Sequence, residues 1–95
     1  MADLIDPSDF ESLCKKIPEW EIEDNNKLLR LFEFDEFNEA IDFVNNVAEI
    51  AEEAQHHPDI DIRYCAVTLT LTTHDLGGLT KADFDVARRI DNLFD

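Results

Sequence analysis

One stretch limits what this chain can fold into more than any other. Between Asp35 and Pro58 the apolar residues Phe37, Ala40, Ile41, Val44, Val47, Ala48 and Ala51 return with helical periodicity, while Glu39, Asp42, Asn46, Glu49 and Glu53 take the opposite side. That pattern predicts an amphipathic helix of about twenty residues with Asp35 as its N-cap. Pro58 ends it, because the residue before a proline is pushed out of the helical region. A helix with one apolar stripe needs a surface to cover, and the segments on either side read as strands.

Before the helix, Trp20 and Ile22 alternate with Glu21 and Glu23, Asp24-Asn25-Asn26 signals a turn, and Leu28 to Phe34 forms the returning strand. Both parities of that strand are partly apolar, with Leu28, Phe32 and Phe34 on one side and Leu29 and Leu31 on the other. Helices explain one such face; the other needs a partner subunit, a ligand, or both. Phe32, Phe34, Phe37 and Phe43 stand at strand and helix spacing and read as core. After the helix, Ile60 and Ile62 alternate with acids, and Tyr64 to Thr73 is dense in Thr, Val and Leu. Asp59 to Thr73 is long for one strand, which predicts a bend or tight turn near Tyr64 to Ala66. In an unbroken strand His74 shares the parity of Thr70 and Thr72, away from the Val67-Leu69-Leu71 face.

Helices close both ends. Asp6 suits an N-cap and Pro7 the first helical position, Phe10, Leu13, Cys14 and Ile17 form one stripe, and Pro18 stops the helix. Gly77-Gly78 breaks the chain, Thr80 and Asp83 form a capping box, and Leu79 with Phe84 forms a hydrophobic staple. The last helix buries Ala87, Ile90 and Leu93 or Phe94. The order is αββαββα. The expected fold is α+β and two-layer, a four-stranded antiparallel sheet with three helices on one face, forming one unit over residues 1–95.

Charge excludes some functions. With 23 acids against 8 bases the net charge is −15, and phosphate recognition needs Lys and Arg, so no direct nucleic-acid partner is expected. The N-terminus is acidic where a signal peptide is basic and apolar, no apolar run reaches a membrane span, and Cys14 and Cys65 sit in apolar contexts as buried reduced thiols. These features point to a cytoplasmic protein with no membrane partner.

Chemistry concentrates on three histidines, His56, His57 and His74. His57 must be extended before Pro58, so the side chains of His56 and His57 diverge. Adjacent diverging imidazoles are a poor metal set, which wants converging ligands at helical spacing. Acid–base chemistry on a small ligand suits imidazole near neutral pH, and the residues alone equally allow turn histidines with no role. There is no nucleophile elbow or phosphate loop, and Gly77-Gly78 reads as a backbone turn.

The Trp20 strand start, the stretch RLFEFDEFNEAIDFVNNVAEIAEEAQHHPDI, Tyr64 with Val67, the loop THDLGGLT, and Asp83, Ala87 and Ile90-Asp91 together resemble the pterin-4a-carbinolamine dehydratase family over nearly the whole chain. The resemblance implies a hydro-lyase that dehydrates 4a-hydroxytetrahydropterin to quinonoid dihydropterin in tetrahydrobiopterin recycling, with no metal or bound cofactor. It implies His56 and His74 as the acid–base pair, His57 as mainly pterin-binding, and Glu52 and Asp83 beside the substrate. It also implies a homodimer or homotetramer. Two positions depart from the family: Glu19 where glycine is usual before Trp20, and Gln55 where Asn, Asp or a basic residue is common before His56. Some relatives serve as coactivators or assembly factors, often with eroded histidines, so the alternative expectation is a non-enzymatic interaction protein with a retained pterin pocket. All three histidines stand here, which favours the enzyme.

Overall fold

Asp6 accepts a hydrogen bond from the Ser8 N–H at 3.0 Å and starts a 3-10 turn over Pro7–Asp9. The turn leads into helix α1, Phe10–Cys14. These and the following elements belong to a computed structural model that describes residues 3–95. Met1 and Ala2, part of the acidic N-terminal segment read above, lie outside the described residues.

Strand β1 (Glu21–Glu23) and strand β2 (Lys27–Glu33) form a hairpin whose turn holds Asp24 and Asn25 at positive φ of 53° and 59°. Asp and Asn tolerate that region better than most residues. Helix α2 (Phe37–Ala54) follows, then strand β3 (Asp59–Arg63), strand β4 (Ala66–Leu71) and helix α3 (Lys81–Phe94). The turn expected near Tyr64 is present, with Tyr64 itself at φ 52°. All pairings are antiparallel and the sheet order is β1-β2-β4-β3. The architecture is the expected α+β arrangement of a four-stranded sheet under three helices.

The core lies between sheet and helices. Leu28 and Phe32 of β2, with Val67, Leu69 and Leu71 of β4, meet Ala40, Phe43, Val47 and Ile50 of α2 and Phe84, Val86, Ala87 and Ile90 of α3. Phe32 and Phe43 pack with their rings tilted by 42° and their centroids 4.8 Å apart. Arg30 shares the inward parity of Leu28 and Phe32, so its charge must be matched. Its Nη1 donates to Asp91 Oδ1 at 2.6 Å, Trp20 Nε1 donates to the same oxygen at 2.7 Å, and the guanidinium lies 4.4 Å from the Phe32 ring centroid. Burial works against the Arg30 charge, but the carboxylates of Asp95 and Asp91 outweigh it and push the guanidinium pKa up.

Several local expectations are corrected. The N-cap of α2 is Glu36, not Asp35: Glu36 and Glu39 form a reciprocal capping box, with the Glu36 N–H donating to Glu39 Oε1 at 3.2 Å. The helix ends at Ala54, before Pro58 can act, because Gln55 turns left-handed at φ 54° and the His56 N–H donates to the Ala51 carbonyl at 3.0 Å. Its buried stripe runs through Ala40, Phe43, Val47, Ile50 and Ala51, leaving Phe37 and Ala48 exposed and Ile41 and Val44 half-buried. Phe43, drawn into the aromatic cluster with Phe32 and Phe34, sets that rotation. Phe34 is half-buried, and Leu93 and Phe94 are partly exposed rather than core. Cys14 and Cys65 are free thiols but only half-buried.

On the far side of the sheet Leu31 is 52% exposed and Leu29 half-buried, the uncovered apolar face that the alternating pattern of β2 foretold. Among the described residues no helix is long and apolar enough to cross a membrane.

Candidate functional site

The loop after β4 begins where the strand pairing stops, at Leu71. Thr73 pairs instead with Gly78, its N–H donating to the Gly78 carbonyl at 2.8 Å. Between them His74–Leu76 makes a 3-10 turn closed by Gly77 at φ 69°. Gly77 is required by its positive φ, whereas a Cβ at Gly78 would come within 2.8 Å of the Leu4 Cδ2 side-chain atom, which would have to move aside. The 3-10 turn ends the strand alternation, so the expected shared parity of His74 with Thr70 and Thr72 does not hold. His74 is exposed and makes no side-chain hydrogen bond among the described residues.

The two adjacent histidines leave the end of α2 in different directions. His56 is drawn in: its side chain is only 14% exposed and its Nε2 lies 2.5 Å from Asp83 Oδ1. His57 stays at the surface, paired through Nε2 with Glu52 Oε2, one turn back on α2. Exposed pairs of this kind add little stability, so the contact orients the ring more than it holds the fold.

Asp83 is fully buried in the first turn of α3. An ionised carboxylate only accepts hydrogen bonds, and each of its oxygens is supplied. Oδ2 accepts from the Thr80 N–H at 2.9 Å and from Thr73 Oγ1 at 2.8 Å. Thr80 Oγ1, 2.9 Å from Thr73 Oγ1, accepts the Asp83 N–H in the capping box and donates its own proton to Thr73. That leaves Oδ1 for the Nε2–H of His56, a short charge-assisted bond. With Asp83 as an acceptor-only carboxylate, an N–H on Nε2 places the lone pair of a neutral ring on Nδ1. Capping and ring orientation are thus one function of one carboxylate.

A cavity of about 220 Å³ lies against this array, lined by Gln55, His56, His57, Thr72, Thr73, His74 and Asp75. All three sequence-predicted histidines therefore border one space. Glu52 reaches it only through His57, and Asp83 only through His56 and Thr73. The sequence reading missed Thr72 and Thr73, although the Thr-Thr pair immediately before His74 is visible in the chain. Thr72 Oγ1 donates to the Asn26 carbonyl at 2.6 Å and ties the β1–β2 turn to the rim of the site. Among the described residues no three His, Cys, Asp or Glu side chains are grouped as metal ligands would be.

The family profile described as pterin 4 alpha carbinolamine dehydratase matches residues 3–93. A protein of Picosynechococcus sp. named "Putative pterin-4-alpha-carbinolamine dehydratase" is 50% identical over 93 residues, covering 98% of this chain and all (100%) of that one. A like-named protein of Chloroflexus aggregans is also 50% identical, covering 98% of each. Among solved structures, a transcriptional coactivator/pterin dehydratase from Brucella melitensis superposes with a TM-score of 0.90 at 27% identity, over 96% of this chain and 98% of its own. A pterin dehydratase-like protein identified as a RuBisCO assembly factor in the alpha-carboxysome gives 0.67 at 27% identity, over 79% and 88%. With the profile spanning almost every residue and such relatives covered from end to end, this chain belongs to the pterin-4a-carbinolamine dehydratase family.

Proposed function

We propose that the protein is a hydro-lyase that dehydrates a 4a-hydroxytetrahydropterin to the quinonoid dihydropterin and water, serving tetrahydrobiopterin recycling. The observation that carries the reading is the His56–Asp83 bond beside a cavity bordered by His57 and His74. Elimination needs a base to take a ring N–H proton and an acid to protonate the departing 4a-hydroxyl. With Nε2 held by Asp83, His56 offers Nδ1 as the base, and Asp83 stabilises the imidazolium that forms. The N–H electron pair becomes the new ring double bond as the C4a–O bond breaks. His74, exposed at the cavity rim, donates the proton that makes water, and transfer back through solvent resets both rings. His57, oriented by Glu52, binds the pterin. No step requires a metal or a resident cofactor.

The enzyme acts as a homodimer or homotetramer in this reading, with the Leu29–Leu31 face as one surface available to a partner copy, in the cytoplasm. A dehydration assay on purified protein tests the activity: acceleration over uncatalysed dehydration is expected, and its absence overturns the proposal. A second reading, supported by the printed roles of the coactivator and assembly-factor neighbours, is a protein-binding function that keeps the pocket. It requires pterin-independent capture of a partner that survives replacement of the histidines.

A further inference from the structure

The eight basic residues of this acidic chain are unevenly used. Arg30 is buried against Asp91, Arg63 pairs with Asp61 at 3.1 Å, and Arg89 pairs with Glu53 at 2.9 Å. Lys15, Lys16, Lys27, Lys81 and Arg88 have no carboxylate within 4.0 Å among the described residues, and Lys16, Lys81 and Arg88 stand together. All three line one recess of about 120 Å³ between the end of α1 and the first turns of α3, floored by Leu13, Ile17 and Phe84. Asp85 is the one acid on its wall, so the lining remains net positive. Lys81 is, moreover, the first residue of α3, where the positive end of the helix dipole disfavours a cation. A bound anion reverses that local conflict, because it gains from all three side chains and from the helix end.

We propose that this recess binds a small oxyanion, a carboxylate or phosphate group, distinct from the histidine cavity. The volume is about four times the ~30 Å³ share of a water molecule, which suits a group of that size. Asp83, itself held by the Thr80 N–H, binds His56, while residues 81, 84, 85 and 88 line the recess. The two sites thus stand back to back across the start of α3, and neither shares a lining residue with the other.

The test is a titration of the full chain with inorganic phosphate, and separately with acetate, at low salt, followed by backbone amide chemical shifts. Saturable shifts centred on residues 13–17 and 81–88 with a Kd in the millimolar range are expected for at least one anion. Lys81→Gln with Arg88→Gln should weaken that binding roughly tenfold, and added sodium chloride should weaken it too. His74→Ala should leave it unchanged. Lys16→Gln, on a different element, gives a second variant should the α3 pair alter the helix start. No saturable shift for either anion up to about 20 mM, binding unaffected by all three substitutions, or shifts confined to residues 56, 57 and 74 would overturn the proposal.

Discussion

Asp83 Oδ1 stands 2.5 Å from His56 Nε2 while its second oxygen holds Thr80 and Thr73. Asp83→Asn keeps the size but not the pattern. The amide oxygen takes over the Thr80 and Thr73 donors, so its NH2 faces Nε2 and forces the proton to Nδ1, the nitrogen needed as base. Turnover should fall by about a hundredfold or more, as wrong-tautomer variants of other His–Asp pairs do, with the far-UV spectrum retained. Near-normal kcat in a folded Asp83→Asn protein would remove His56 as the base.

His74 is exposed and has no side-chain hydrogen-bond partner among the described residues, so its removal should cost the fold little. His74→Ala should melt with the wild type yet lose about 10²–10⁴ in kcat, the range for a positioned acid. His57→Ala should act mainly on KM. Steady-state kinetics of the two variants side by side separate the roles, and an equal KM-only effect from both would contradict them.

Gln55 sits in the left-handed region at φ 54°, closing α2 and setting the direction of His56. Glycine has no Cβ penalty there, so Gln55→Gly should raise stability by about 0.5 kcal/mol or leave it level. Gly77→Ala, at φ 69°, should lower it by about 1 kcal/mol. Thermal melts of the two proteins should move in opposite directions.

The buried Arg30–Asp91 pair is an ion pair whose removal leaves a partner stranded. Arg30→Ala should destabilise by about 3–5 kcal/mol, because Asp91 then keeps its charge with only Trp20 to satisfy it. The double variant Arg30→Met with Asp91→Leu should recover much of that loss. Urea unfolding of the single and double variants decides the point.

Burial pushes the Cys14 thiol above its ordinary value. As pH rises from the ordinary thiol value through the raised one, unfolding releases a proton that the folded state retains. Stability therefore falls across that alkaline window and is untouched below it. Cys14→Ser should remove this part of the slope, read as the difference between the two proteins' unfolding curves.

What the chain announced in advance follows from how local each signal is. The Thr80–Asp83 capping box, the Gly77-Gly78 turn and the alternation of Val67, Leu69 and Leu71 are decided within a few residues, and the structure keeps them. The stripe of α2 is not local. Phe37, Ile41 and Val44 satisfy helical periodicity as well as Phe43 and Ile50 do, and only the aromatic partners on β2 choose between the two faces. The site divides the same way. The adjacent pair His56 and His57 and its divergence are legible from HHP, whereas the role of Thr73 depends on a 3-10 turn that bends His74 out of strand alternation and lets a hydroxyl reach Asp83.

Trp20 and Arg30 both end on Asp91, contacts that span 71 and 61 residues. During synthesis this has a temporal consequence. When the β1–β2 hairpin has emerged, Asp91 has not, and Arg30 at its inward position lacks the buried carboxylate that matches it. The hairpin can zip, but its inner face cannot dry until α3 arrives to neutralise it. The inner face of the hairpin thus receives its matching carboxylate only from a segment 61 residues further along the chain.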